Sequence, residues 1–373
     1  MTEHGRLPDP MNGVLPAGRP PVAYIACKKC PTLATVTRRL AEVAAKVGVS
    51  TATVSRVLNG KGGVSEPTRQ AVLTALDVLG YERPTQLRGE RSRLVGLVLP
   101  ELQNPIFPAF AEVAGGALVQ QGFTPVLCTQ TLGGVQESDY VDLLLQQHVS
   151  GVLFVGGMYA LEDASHEHYA RLTERNLPTV LVNAAIDGLD FPRVSCDDAV
   201  AVEQSIAHLR HLGHTDIGLI LGLPDHVPSR RRLAAAKALA GRDGFALPDD
   251  RVAHSLFSIE GGQAAAGTLL SRGVTALVCA SDPIALGAIR AVRRAGLNVP
   301  ADVSVVGYDD SALMMCTDPP LTTVRQPIEP MGRAAVDLLV GQISGGSFAP
   351  GELLYEPELV VRSSTAPAPS GRR

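Results

Sequence analysis

Residues 51–56, which read TATVSR, carry side chains that could bind DNA. Short hydroxyl side chains can approach phosphates, and Arg56 could form two parallel hydrogen bonds with a guanine. Val54, Val57 and Leu58 fall on one face of a helix through this stretch, which leaves the other face exposed. That exposed face carries Thr51, Ala52, Thr53, Ser55 and Arg56. An ordinary helical unit with a solvated polar face fits the same pattern, so periodicity alone leaves both interpretations open.

Two other groups of residues have spacings that suit a metal ion. Cys27 and Cys30 stand three positions apart, but no second pair follows nearby and a structural zinc ion needs four ligands. An unstructured extension is the simpler interpretation. His208, His211 and His214 recur near the end of a predicted helix, where His interacts favourably with the last carbonyl groups. We therefore expect helix termination there, and neither a metal nor a cofactor in this protein.

The sequence lacks the short motifs that mark common enzyme active sites. It contains no phosphate loop ending in Gly-Lys-Ser or Gly-Lys-Thr, and no dinucleotide-binding glycine fingerprint after an apolar run. It also has no Gly-x-Ser-x-Gly elbow. These observations predict a protein that is not an enzyme. An enzyme that uses Asp309 and nearby groups as acid and base stays open as an alternative.

Three short helices are predicted around the possible DNA-binding stretch. An apolar stripe that begins at Leu40 predicts the first helix, and Gly48 ends it. Ser50 can cap the second helix, and Ser65 can cap the third, which tolerates Pro67 in its first turn. Two short helices joined by a Gly-containing turn form a helix-turn-helix, whose second helix can enter the major groove of DNA.

Charge is distributed unevenly along the 373 residues. Residues 38–93 carry ten Lys and Arg against five Asp and Glu, whereas residues 94–373 carry 19 against 30. A basic unit before an acidic body suggests that the first unit binds a polyanion. With 45% hydrophobic residues, the chain can form two or three folded domains. It has no apolar run of about 18 residues and no secretory signal at its N-terminus, which predicts a cytoplasmic protein without a membrane span.

Eight apolar, β-rich runs alternate with amphipathic helical stretches after residue 93. The runs are LVGLVLP, TPVLCT, GVLFVG, TVLVN, RVSC, IGLIL, TALVCA and VSVVGYD. This alternation predicts an α/β fold with parallel strands covered by helices, and eight strands suit two doubly wound lobes better than one sheet. Sheets of this kind bind ligands at the carboxyl ends of their strands, so two facing lobes would form a cleft there.

The segment LAEVAAKVGVSTATVSRVLNGKGGVSEPTRQAVLTALDVLGY resembles the DNA-binding head of the lactose/galactose repressor (LacI/GalR) family. By matching positions, the resemblance implies base contacts for Thr51, Ala52 and Arg56. It implies contacts with the DNA backbone for Ser50, Thr53, Ser55, Asn59, Ser65 and Thr68. In this family a hinge follows the head and inserts a Leu into the minor groove. The hinge is a few residues shorter here, and Leu87 is its apolar candidate for insertion or for packing on the head.

The chain from there to about Ser364 resembles the periplasmic-binding-protein-like sensor domain of the same family. Five segments match it in order: ELQNPIFPAF, HLGHTDIGLILG, VCASDPIALGAIRAVRRAGLNVPADVSVVGYDD, PPLTTVRQP and ELVVRSST. Their sequences most resemble those of actinobacterial maltose-type regulators. Matching positions imply effector contacts for Asn104, Phe107, Asn183, Arg232, Phe257, Ser281, Asp309 and Ile328. Among these, Arg232 and Asp309 suit sugar hydroxyls, whereas Phe257 and Ile328 suit an apolar wall. Each polar residue could instead belong to a network inside one lobe, and Ser281 or Asp282 could cap a helix.

Together these patterns predict a regulator with two working parts. The expected order is a disordered extension (1–37), a helix-turn-helix head (38–81), a hinge linker (82–93), a two-lobed effector-binding and dimerisation domain (94–364) and a disordered tail (365–373). We expect a homodimer that binds a palindromic operator in double-stranded DNA, usually as a repressor. A small-molecule effector, a sugar, would control its affinity for that operator. The alternative is a stand-alone sugar-binding receptor without DNA-binding activity, which the basic head and the missing secretory signal oppose.

Overall fold

The computed structural model describes residues 33–58, 63–79, 93–130, 134–184, 188, 190–346, 348 and 351–370. The chain forms two compact units, residues 1–89 and residues 90–373, which we call the head and the sensor. Cys27, Cys30, Asn59 and Leu87, with most of the hinge linker, lie outside the described residues. In the described part of the chain, no helix is long and apolar enough to cross a membrane.

The head consists of three helices. They are α1 (Leu33–Val47), α2 (Thr51–Leu58) and α3 (Glu66–Val78). Their apolar faces meet in a small core that includes Val43, Val54, Val57, Val72 and Leu76. Both predicted caps are confirmed, because Ser50 Oγ accepts the N–H of Thr53 at 3.1 Å and Ser65 Oγ accepts the N–H of Thr68 at 3.4 Å.

Helix α1 begins earlier than the sequence pattern predicted. Residues 1–37 were expected to be disordered, but the helix already includes residues 33–37. No Gly or Pro lies between Pro31 and Gly48, so no helix-breaking residue stops the helix from extending toward the N-terminus. The prediction of disorder is therefore wrong for residues 33–37.

The sensor consists of two lobes, each built on a six-stranded sheet. The first lobe contains β1 (Leu94–Leu99), β2 (Thr124–Thr129), β3 (Gly151–Val155), β4 (Thr179–Val182), β5 (Arg193–Cys196) and β11 (Glu352–Tyr355), with α4 (Ile106–Gln120), α5 (Glu137–Gln146), α6 (Glu167–Glu174) and α11 (Ile328–Ile343). The second contains β6 (Ile217–Leu221), β7 (Val252–His254), β8 (Ala276–Cys279), β9 (Ser304–Asp309), β10 (Thr322–Arg325) and β12 (Glu358–Val360), with α7 (Asp198–His211), α8 (Val227–Asp243), α9 (Ile259–Leu270) and α10 (Asp282–Arg294).

The strand orders are those of doubly wound sheets. They run β11-β5-β4-β3-β1-β2 in the first lobe and β12-β10-β9-β8-β6-β7 in the second. All neighbours are parallel except β12, which is antiparallel to β10. The chain crosses between the lobes after β5, after β10 and after β11. The predicted two-lobed α/β fold is confirmed.

All eight predicted strands are present, but four further strands were not predicted. These are β7, β10, β11 and β12, which have only three or four residues each. Three of them, β7, β11 and β12, are at least partly exposed along their length. The fourth, β10, has the sequence TTVR, in which only Val324 is apolar. None has the buried apolar run that identified the other eight, so their pairing depends on neighbouring strands rather than on a local pattern.

Residues 365–370, part of the predicted disordered tail, are ordered against the second lobe. Ala368 donates its N–H to the carbonyl of Leu212 at 2.8 Å, and the carbonyl of Ala366 lies 3.0 Å from His214 Nε2. Helix α7 ends at His211, as the run of three His residues predicted. The prediction of disorder is wrong for residues 365–370, because their backbone groups find hydrogen-bond partners just beyond α7.

Candidate effector cavity and DNA-binding surface

The candidate DNA-binding residues lie on one side of α2 and at the starts of α2 and α3. Thr51, Ala52 and Arg56 are exposed, and Thr53 and Ser55 are half-buried. The hydroxyl oxygens of Ser50 and Thr53 lie 2.9 Å apart, and those of Ser65 and Thr68 lie 2.8 Å apart. Both pairs stand at helix N-termini, where the helix dipole favours a phosphate. The contacts of these residues with DNA stay predictions.

A cavity of about 320 Å³ lies between the two lobes of the sensor. The structure brings seven of the eight predicted effector residues to its lining: Asn104, Phe107, Asn183, Arg232, Phe257, Ser281 and Asp309. Ile328 does not line the cavity; it begins α11 and packs against the core of the first lobe. Phe257, the other residue expected in the apolar wall, does line the cavity, beside apolar residues that the sequence did not single out, namely Phe110, Met158, Leu161 and Leu223.

A side chain that was not predicted joins the two lobes across this cavity. Gln326 follows β10, at the second crossing between the lobes. Its Nε2 donates to Asp309 Oδ1 at 2.8 Å, and its Oε1 accepts from Asn183 Nδ2 at 3.1 Å. Asn104 Nδ2 lies 3.5 Å from the other oxygen of Asp309. One amide therefore connects the end of β4 in the first lobe with the end of β9 in the second.

The two strand ends that Gln326 joins have unusual backbone conformations. Asn183 has φ +67° and Asp309 has φ +118°, values that residues other than glycine rarely adopt. Such conformations are held in place by surrounding contacts and cluster at ligand-binding sites. Asn183 also accepts the N–H of Cys196 at 3.0 Å, which fixes its side chain against β5. Both positions are therefore typical of a binding site.

Arg232 belongs to a buried network within the second lobe. Its Nε donates to Asp198 Oδ1 at 2.7 Å, and Nη1 donates to the carbonyl of Ala280 at 2.9 Å. The guanidinium lies 3.6 Å from the centre of the Tyr308 ring. Asp198 also lines the cavity and was not predicted. The alternative considered for Arg232, an ion pair inside one lobe, is therefore present in this structure, although Arg232 still faces the cavity.

Of the two residues that could cap α10, Ser281 is the cap and Asp282 is a buried hydrogen-bond acceptor. Ser281 Oγ accepts the N–H of Ile284 at 3.4 Å, so the predicted capping role belongs to Ser281. Asp282 is buried, and its two oxygens accept from the Thr323 hydroxyl at 2.6 Å and from the N–H of Ser311 at 2.7 Å. Burial raises the pKa of Asp282 to about 6, against the lowering effect of those hydrogen bonds.

The lining of the cavity carries little net charge. Burial, reinforced by the neighbouring charge of Asp282, raises the pKa of Asp309, and burial raises the pKa of Glu101. Burial and then the charge of Arg232 lower the pKa of His226 to about 3, so this ring is neutral near pH 7. Among the described lining residues, Arg232 is the cation, and it is already paired with Asp198.

Direct contacts join the two lobes of the sensor. Leu161 and His226 form an isolated antiparallel bridge, and Glu162 donates its N–H to the carbonyl of Asp225 at 3.0 Å. The side chain of Glu162 also pairs with Arg230. A second ion pair, 2.8 Å long, joins Arg231 of α8 to Glu352 of β11. The structure therefore represents an arrangement in which the lobes are closed on each other.

Gln326 and Asp198 line the cavity but could not be predicted from local sequence patterns. Gln326 stands directly after a strand, as Asn183 does, but β10 has no apolar run by which the sequence could mark its end. Asp198 was hidden in a pair of acidic residues at the start of α7, where Asp197 is the cap that accepts from the N–H groups of Ala199 and Val200. Only the fold shows that Asp198 turns toward Arg232.

Comparisons with known proteins place this chain in a family. The sequence model "Bacterial regulatory proteins, lacI family" matches residues 39–84, and "Periplasmic binding protein-like domain" matches residues 206–365. The HTH-type transcriptional regulator reg1 of Streptomyces lividans is 52% identical over 342 residues, which cover 90% of this chain and 99% of reg1. MalR of Streptomyces coelicolor is 51% identical over 341 residues, covering 90% and 99%.

Solved structures extend the comparison to both parts of the molecule. A complex of the transcriptional regulator CelR with cellobiose is 35% identical, covers 87% of this chain and 99% of its own, and superposes with a TM-score of 0.67. The lac repressor dimer bound to operator and the anti-inducer ONPF is 31% identical, covers 87% and 98%, and has a TM-score of 0.66. The resemblance predicted from the sequence is confirmed. The chain belongs to the LacI family, and it is a DNA-binding transcriptional regulator with a helix-turn-helix head and a periplasmic-binding-protein-like sensor.

Proposed function

We propose that this regulator is a repressor whose affinity for operator DNA is controlled by an uncharged sugar bound between the lobes of the sensor. The observation that carries the proposal is the cavity itself. Amide and carboxyl groups from both lobes, Asn104, Asn183, Asp309 and Gln326, converge on it beside apolar side chains. A few convergent polar groups in an apolar pocket are typical of small-molecule sites.

The charges around the cavity favour a neutral polyhydroxyl ligand. Carboxylates accept hydrogen bonds from sugar hydroxyls, and amides both donate and accept them. A phosphate group would find no unpaired cation among the described lining residues, because Arg232 is already paired with Asp198. Phe107 and Phe257 supply apolar surface for the less polar faces of a sugar ring. The cellobiose in the CelR complex is in keeping with this class of ligand.

Control of DNA binding would follow from the closed arrangement of the lobes. Gln326 stands at a crossing between the lobes and contacts residues of both, so a ligand beside it touches both lobes together. A sugar that binds one lobe arrangement more tightly than another shifts the population toward that arrangement. If operator affinity differs between the arrangements, the two binding events are thermodynamically coupled.

The remaining parts of the proposal follow from the family and the sequence. We propose a homodimer on a palindromic operator, acting in the cytoplasm, because two helix-turn-helix heads are needed to bind two half-sites. The lac repressor structure is a dimer on its operator. We propose residues 33–81 as the helix-turn-helix domain, 82–93 as the hinge linker and 94–370 as the effector-binding domain. Asn59 and Leu87 stay in the proposal as DNA contacts.

The test is thermal unfolding of the full chain with maltose, cellobiose, glucose and glucose 6-phosphate. At about 100 times its Kd, a sugar that binds only the folded sensor stabilises it by about 2.7 kcal/mol, which raises Tm by several degrees. We expect at least one neutral sugar to do so and glucose 6-phosphate to have no effect. Stabilisation by glucose 6-phosphate alone would contradict the proposal, as would release of a chemically altered sugar, which would indicate an enzyme.

A further inference from the structure

A buried carboxylate lies behind the cavity, outside its lining. Glu137 begins α5, is 2% exposed, and is not part of the lining. Its Oε2 accepts from Gln130 Nε2 at 3.0 Å and from the N–H of Met158 at 3.1 Å. Its Oε1 lies 2.8 Å from His168 Nε2 and accepts from the hydroxyl of Tyr169. Burying a carboxyl group this deeply is costly unless such partners surround it.

Two of these partners belong to the lining of the effector cavity. Gln130 follows β2 and Met158 follows β3, and both line the cavity together with Gly157. We call these three residues the first-lobe wall. Because one oxygen of Glu137 holds both Gln130 and Met158, it fixes the spacing of two loops that come from different strands. The carboxylate thus shapes the cavity from behind.

The backbone of the wall is fitted to the same carboxylate. Gly157 has φ +146°, and a Cβ at this position would overlap Glu137 Oε2, so only glycine allows the close approach. The hydroxyl of Tyr169, which donates to Glu137, accepts the N–H of Tyr159 at 3.1 Å. The hydroxyl of Tyr159 in turn donates to the carbonyl of Val182 at 2.6 Å, one residue before Asn183. A continuous set of contacts therefore leads from Glu137 to the predicted effector residue Asn183.

We propose that Glu137 is a positioning residue that fixes the first-lobe wall and thereby sets how tightly the sugar binds. The proposal rests on the sugar-binding function proposed above, and it concerns a residue that does not touch the sugar. Its effect passes through Gln130, Met158 and the backbone of Gly157. The pattern that identifies it is a buried acid whose donors are themselves part of a binding site.

The experiment compares three variants of the full chain. Glu137→Ala removes all four acceptor contacts. Glu137→Gln keeps an oxygen that can hold Gln130 and Met158. Its amide then faces His168, whose ring can accept in one tautomer, and the Tyr169 hydroxyl, which must accept from it instead of donating. Glu167→Gln is the matched control, because Glu167 is an exposed acid at the start of α6. Three quantities are measured: affinity for whichever of maltose or cellobiose binds the parent, operator affinity without sugar, and hydrogen exchange of residues 156–160.

We expect Glu137→Ala to lower sugar affinity at least tenfold and to speed exchange at Met158, with operator affinity unchanged. Glu137→Gln should stay within about threefold of the parent, and Glu167→Gln should match it. Parent-like sugar affinity in a folded Glu137→Ala protein would overturn the proposal, whether or not exchange changes. If Glu137→Ala does not fold, Tyr169→Phe, which removes one donor and keeps the ring, is judged by the same criteria with a smaller expected loss.

A failure of the proposed function gives a different result. In that case neither sugar binds the parent, although hydrogen exchange can still be measured. Faster exchange at Met158 in Glu137→Ala than in Glu167→Gln would then support the role of Glu137 in fixing the wall. Equal exchange in the two variants would overturn it.

Discussion

The candidate DNA-binding side of α2 and the candidate effector cavity are built in opposite ways. The first consists of neighbouring, exposed or half-buried residues on one short helix, whose apolar face belongs to a core of eight buried side chains. The second consists of buried residues more than 200 positions apart, such as Asn104 and Asp309, which meet only because two lobes fold against each other. One surface is local and the other depends on the whole sensor.

This difference predicts how each site responds to substitution. An exposed residue of α2 can be changed with little cost to folding, so its loss should reduce DNA binding alone. A buried residue of the cavity shares hydrogen bonds with its neighbours, so its loss should change both ligand binding and stability. Variants of each kind therefore test whether DNA binding and ligand binding can be changed separately.

The largest expected effect is on the stability of the sensor in Arg232→Ala. This change leaves Asp198 buried without its partner, which typically costs about 3–5 kcal/mol. Urea unfolding followed by circular dichroism measures it. The double variant Arg232→Ala/Asp198→Asn should recover a large part of the loss, because no unpaired charge is left. Equal stability of the single variant and the parent would show that the pair contributes little.

A smaller and more selective effect is expected for Arg56→Ala in the head. If Arg56 binds a guanine through two hydrogen bonds, its loss weakens operator binding by about 1–3 kcal/mol and relaxes the preference at one base pair. Fluorescence anisotropy with operator and with random duplex DNA measures both. Lys46→Ala, which removes an exposed charge at the end of α1, is the control. An equal loss on both DNAs would mean that Arg56 contacts only phosphate.

A dependence of stability on pH is expected from the buried acids near the cavity. The pKa of Asp282 is raised to about 6, chiefly by burial, so between about pH 4 and 6 the folded sensor keeps a proton that the unfolded chain has lost. Stability should therefore fall as pH rises through this window, by an amount on the order of 1–2 kcal/mol. Asp282→Asn should show a shallower slope in urea unfolding at pH 4, 5 and 6. Identical slopes would contradict this assignment.

The sequence predicted the head in detail because its signals are local. Ser50 and Ser65 cap the helices as expected, and the apolar stripes form the core. The sensor was predicted as a two-lobed fold, and the strand ends that carry Asn183 and Asp309 meet at the cavity. Gln326, Asp198 and Glu137 could not be found in this way, because their roles depend on contacts across the fold. Ile328 lies outside the cavity lining for the same reason: it begins α11 and packs, half-buried, against the core of the first lobe.

The most direct test of the account is the response of operator binding to sugar in the parent, Arg56→Ala and Asp309→Ala. An operator selected from random duplex DNA and the sugar that raises Tm of the parent would be used. We predict that sugar changes the operator affinity of the parent. We also predict that Asp309→Ala binds the operator like the parent but no longer responds, and that Arg56→Ala binds the operator weakly but still binds the sugar. The contrary result is an Asp309→Ala protein that responds to the sugar as the parent does, which would place the effector outside this cavity.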